Sequence, residues 1–87
     1  PILLVKPTGA DGKPLESVAV SGRYQNTTIG ETNRFEPQKD GRHRSWQLLP
    51  DEPCMITVTA SGHKPQASNI WLAEGATSEL EVKLEPR

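Results

Sequence analysis

The sequence predicts a small all-β sandwich, and three observations carry that reading. Apolar and polar residues alternate with period two along most of the chain, no stretch carries a helical apolar stripe, and clusters of Gly, Pro, Asp and Asn break the pattern at intervals of roughly 8 to 12 residues. About seven short strands spaced in this way are the pattern of an immunoglobulin-like antiparallel sandwich, not of a parallel sheet with crossover helices. Length agrees: 87 residues make one domain, 1–87, near the size at which folding buries about 60% of the chain's surface and net stability is a few kcal/mol. A deep, strained cleft is hard to hold on that margin.

Residues 2–6 form a short apolar strand, followed by Pro7, Gly9, Asp11, Gly12 and Pro14, with Asp-Gly as the strongest turn element. Leu15 opens the next strand, where Val18, Val20, Gly22 and Tyr24 share one face and Ser17, Ala19, Ser21 and Arg23 the other. Residues 25–39 are mostly polar and read as loops around short strands near 27–29 and 34–36. A second Asp-Gly, Asp40-Gly41, turns the chain into a strand over 42–49, with Trp46 and Leu48 inward and Ser45 and Gln47 outward.

After the turn at Pro50, Asp51, Glu52 and Pro53, residues 54–60 form the clearest central strand: Cys54, Ile56, Val58 and Ala60 face one way, and Met55, Thr57 and Thr59 the other. Residues 61–65 are a loop, and 67–72 place Ile70 and Leu72 inward, Asn69 and Trp71 outward. The last strand, 78–85, alternates most strictly, with Leu80, Val82 and Leu84 inward against Glu79, Glu81, Lys83 and Glu85. Trp46, Val58, Val82 and Leu84 are expected in one core.

Several functions are disfavoured by composition. The net charge of −1 gives neither the basic excess of a nucleic-acid binder nor an acidic tail. One cysteine, Cys54, forms neither an internal disulfide nor a zinc cage, and its place among Ile56 and Val58 reads as a buried small hydrophobe, not an activated thiolate. Asp11 and Asp40 lack the neighbouring oxygen ligands of a calcium loop and are accounted for as turn residues. No apolar run approaches membrane-spanning length, so direct membrane insertion is not expected. A start at Pro1 reads as an excised or processed piece of a longer polypeptide.

The ordered motifs resemble those of the carboxypeptidase regulatory-like domains, which belong with the transthyretin-like, or prealbumin-like, sandwiches. The likeness runs through Asp11-Gly12-Lys13-Pro14-Leu15-Glu16-Ser17-Val18-Ala19-Val20, Asp40-Gly41-Arg42-His43, Leu49-Pro50-Asp51, Val58-Thr59-Ala60-Ser61-Gly62-His63-Lys64-Pro65 and Leu80-Glu81-Val82-Lys83-Leu84-Glu85-Pro86. It departs where His43 and His63 replace an aromatic and a tyrosine, and where Asp51-Glu52-Pro53 replaces a Pro-Gly turn. The resemblance implies a non-catalytic accessory domain without cofactor, a spacer or protein-interaction module in a larger extracytoplasmic protein that is periplasmic, cell-surface or secreted. Its partners would be other domains of the same polypeptide or a separate protein. A related hydrolase uses a histidine, an arginine and a Tyr-Arg-Gly-Ser tail, whereas this chain ends Glu85-Pro86-Arg87, so no catalytic residue carries over and His43 and His63 are expected as solvated loop residues.

Three further possibilities concern contacts. Surface sandwiches with an internal isopeptide bond join a first-strand lysine to a last-strand asparagine; Lys6 fits the first role, but Asn69 lies one strand too early. A polyanion patch from Arg34, Lys39, Arg42, His43 and Arg44 is interrupted by Glu36 and Asp40, so nucleic acid is not expected. The remaining candidate is a contact surface at Trp71 and Asn69, for a protein or, as the alternative, for a glycan in the manner of an adhesin-type module.

Overall fold

The computed structural model describes residues 1–12, 15, 17–26 and 33–87, which contain eight strands and no helix. In chain order these are β1 (Ile2–Gly9), β2 (Ala19–Tyr24), β3 (Asn33–Arg34), β4 (Glu36–Pro37), β5 (His43–Arg44), β6 (Cys54–Thr59), β7 (Gln66–Ile70) and β8 (Thr77–Leu84). They make two four-stranded sheets, ordered β4-β5-β1-β8 and β3-β2-β6-β7, whose inner faces share one apolar core. The chain is a β-sandwich, as the alternation predicts. The expected strand near 27–29, and Lys13, Pro14 and Glu16 of the first turn and second strand, lie outside the described residues.

Strand parity holds where the pattern is strictest. In β6 Cys54, Ile56 and Val58 are buried while Met55 and Thr59 are exposed, and in β8 Val82 and Leu84 are buried and Leu80 half-buried against exposed Glu79, Glu81 and Lys83. β6 sits inside its sheet, paired antiparallel with β2 and β7. The Asp40-Gly41 turn also forms: Gly41 takes φ 88°, a region an L side chain resists, and the Arg42 N–H donates to Asp40 Oδ1 at 3.0 Å.

Other expectations are corrected. The sandwich is not antiparallel throughout: β8 runs parallel to β1 over eight positions, from Ile2 opposite Thr77 to Gly9 opposite Leu84. The segment from β7 to β8 crosses between sheets instead of folding back as a hairpin, so β8 takes its direction from the sheet it joins. β1 also continues through Pro7 to Gly9, where a turn was expected. Its ladder with β5 stops at Val5, and a proline fits where one side of a strand is unpaired.

The expected strand at 34–36 is divided. Asn33–Arg34 pairs with β2, Glu36–Pro37 pairs with β5 in the opposite sheet, and buried Phe35 makes the corner, its N–H donating to the Val20 carbonyl at 2.9 Å. In the expected strand at 42–49, regular pairing ends at Arg44. Ser45, expected outside, is buried: its Oγ accepts from the Leu3 N–H at 2.9 Å and donates to the Trp46 carbonyl at 2.8 Å, which turns the backbone out of the pleat. Trp46 is accordingly half-buried, while Val58, Val82 and Leu84 are buried. Its indole meets Tyr24 and Phe35 edge-on, with ring centroids at 6.2 and 5.6 Å.

Candidate functional site

Trp71 stands where β7 leaves its sheet, 60% exposed, the largest apolar side chain that the described surface shows to this degree. Pleat parity carries this far: β7 turns Ser68 and Ile70 toward the core and Asn69 outward. Beyond Ile70 the chain crosses to the other sheet, held by the Asp51 N–H on the Leu72 carbonyl at 2.8 Å and by the turn in which the Ala76 N–H donates to Ala73 at 3.1 Å.

The crossing leaves a groove of about 280 Å³ between the sheets. Its floor is aliphatic, made of Leu3, Ile70, Leu72 and Leu80, and its rim carries Trp71, Asn69, Ser78 and Glu79. Sequence reasoning found Trp71 and Asn69, and the structure brings both to this groove. It missed Leu3 and Leu80, which arrive from β1 and from β8 in the opposite sheet, a pairing that local alternation cannot report. A second hollow, on the outer face of β7's own sheet, includes Arg23, Met55 and Thr57 of β2 and β6. Strand register sets Arg23, Met55 and Asn69 in one row there, a row visible only once the strands are paired.

His43 and Cys54 are both buried. His43 is not a solvated loop residue: it lies on β5, 9% exposed, and desolvation pushes its pKa below the ordinary histidine value. The unfolded chain therefore takes up that proton first. His43's contribution is complete above about pH 6.5 and is lost as the pH falls through the interval down to the lower folded-state value. In denaturant melts at pH 7.5 and 5.5, His43→Phe is expected to lose less stability on acidification than the parent; equal losses would show that His43 is not buried uncharged. His63 is half-buried, bridged to Pro86, with Nδ1 2.8 Å from the Ser61 carbonyl oxygen. Burial raises the pKa of the Cys54 thiol, which leaves it a poor nucleophile.

The basic stretch is dispersed. Arg42 bonds Asp40 at 2.7 Å and reaches Glu79 at 3.3 Å, and the guanidinium holds the Asp40 carboxyl below the usual carboxylate range. Lys6 and Asn69 are exposed on the outer faces of different sheets, which separates the pair an isopeptide bond would need. Among the described residues no group of three His, Cys, Asp or Glu side chains is placed to hold a metal ion, and no helix is long and apolar enough to cross a membrane.

No family model matches the chain, and no curated protein matches it significantly in sequence. Solved structures do resemble it. Part of the Bacillus anthracis TIE protein superposes on 98% of the chain with a TM-score of 0.64 and 16% identity, and the chain spans 16% of that protein's length. The Caf1A usher C-terminal domain, whose conserved hydrophobic surface clusters are important for F1 antigen assembly, superposes on 99% of the chain with a TM-score of 0.50 and 11% identity, and 98% of that domain is covered. The likeness is of fold. Neither protein is described as a carboxypeptidase regulatory-like domain.

Proposed function

We propose that this chain is a non-catalytic accessory domain, a protein-interaction module within a larger extracytoplasmic protein, and that it makes contact through the groove at Trp71. The observation that carries this is a 60% exposed indole beside a half-open aliphatic floor of Ile70, Leu72 and Leu80, on a domain too small to spare apolar surface. Tryptophan couples a large apolar area to an N–H donor and is prominent among residues that dominate interfaces. The motif resemblance to carboxypeptidase regulatory-like domains, and a fold shared with an assembly-linked usher domain, point the same way. The aliphatic floor favours a protein over a glycan, since a sugar stacks the C–H face of its ring on a flat aromatic surface and takes polar partners for its hydroxyls around the edge, whereas branched aliphatic side chains suit apolar side chains.

The non-catalytic part rests on the reactive groups: the Cys54 thiol is buried, His43 is desolvated on β5, and Ser78 and Glu79 of the groove are successive strand residues whose side chains the pleat sends to opposite faces. The contact is tested by quenching. In a Trp46→Phe background, Trp71 of the isolated chain is expected to be freely quenched by acrylamide, and to become protected within the longer polypeptide or its complex. Trp71→Ala is expected to change folding stability by no more than about 0.5 kcal/mol. Equal quenching in the isolated chain and in the whole assembly would sink the reading.

A further inference from the structure

The four sheet edges are not protected alike. On one side of the sandwich, among the described residues, β3 and β4 are two residues long and offer little to pair with. On the other side the edges are β7, of five residues, and β8, of eight, and among the described residues no strand lies beyond either. β8 has neither proline nor glycine from Thr77 to Leu84, and its unbroken parallel ladder with β1 shows no bulge. Its far edge is an uninterrupted row of backbone groups with no strand beyond it among the described residues.

That edge borders the apolar groove. The slot between β7 and β8 is closed at one end by the crossing at Trp71 and at the other by the Lys64 N–H on the Glu85 carbonyl at 2.8 Å and the Arg87 N–H on Gly62 at 3.0 Å. Between these ends β8 turns half-buried Leu80 inward, and its outward residues are Glu79, Glu81 and Lys83, with Glu85 just beyond. Arg42, just before β5, reaches Glu79, and Lys6 stands opposite Glu81 in the ladder, while Glu81 and Glu85 form no ion pair among the described residues.

We propose that β8 takes up an extended segment of a partner protein as an added strand, and that this segment alternates apolar with basic residues. Alternation follows from the pleat: inward side chains cover Leu80, Ile70 and Leu72, and outward ones stand opposite a predominantly acidic row. Backbone bonds to β8 supply affinity, and the basic positions supply selection. The proposal rests on the reading that the groove side is the contact face.

The probe is a synthetic peptide of about eight residues alternating valine and lysine, matched to the length of β8, with a valine–glutamate peptide as control. Titrated into ¹⁵N-labelled protein, the lysine peptide is expected to slow hydrogen exchange of β8 amides and to bind about tenfold more tightly than the glutamate peptide. Glu81→Lys is expected to erase that preference while leaving the spectrum of the folded domain intact. Shifts confined to Trp71 and Leu72, with β8 amides unprotected, would overturn strand addition and leave the groove contact standing. No response to either peptide at millimolar concentration, or β8 protection that grows with protein concentration alone, as pairing with a second copy requires, would overturn the partner-segment proposal.

Discussion

Ile56→Ala is expected to destabilise the domain by about 2–5 kcal/mol, which is most of what a domain of this size has. Ile56 is 1% exposed at the middle of β6 and lies opposite Gly22 on one neighbouring strand and Ser68 on the other. Neither flanking residue has a side chain large enough to fill the space that truncation opens, so a residual cavity adds to the lost transfer free energy. The rings of Phe35 and Trp46 lie close by and are fixed edge-on to each other. Denaturant melts at matched pH measure the loss, with Thr59→Ala on the exposed face of the same strand as the control, expected within about 0.5 kcal/mol of the parent. Equal midpoints for the two variants would mean that β6 is assigned the wrong register, because a slip of one residue exchanges its faces.

Gly22→Ala is expected to cost about 1–3 kcal/mol through overpacking. A methyl group at Gly22 would stand 2.9 Å from Trp46 Cη2, 3.1 Å from Ile56 Cδ1 and 3.2 Å from Phe35 Cε1. An alanine in an ordinary strand conformation also narrows the unfolded ensemble, a gain of about 0.4–1 kcal/mol, so two effects oppose each other here and the clash wins. Trp46 is half-buried and is the neighbour that can move, so its emission is expected to shift to the red as the indole is displaced toward water. A smaller penalty for Gly22→Ala in a Trp46→Phe background would locate the clash at the indole. A stabilised single variant with unchanged fluorescence would refute the close approach of Trp46 to β2.

Period-two alternation by itself determined which way side chains face along β6, β7 and β8, and from that parity the burial of Cys54, Ile56 and Val58 and the exposure of Trp71 and Asn69. The Asp40-Gly41 turn was legible for a similarly local reason, since its geometry is set by the residues within it. Alternation does not say which strand lies beside which, or in what direction. Only tertiary structure decided that β8 joins β1 in parallel, that Phe35 carries the chain from one sheet to the other, and that His43, polar and beside a turn, is desolvated on β5. The groove is of the same kind. Trp71 and Asn69 lie two residues apart, but Leu3 reaches them from β1 at the other end of the chain and Leu80 from the next strand in the opposite sheet, because a sandwich buries apolar surface between its sheets and a signal read along one strand cannot contain its partner across the core.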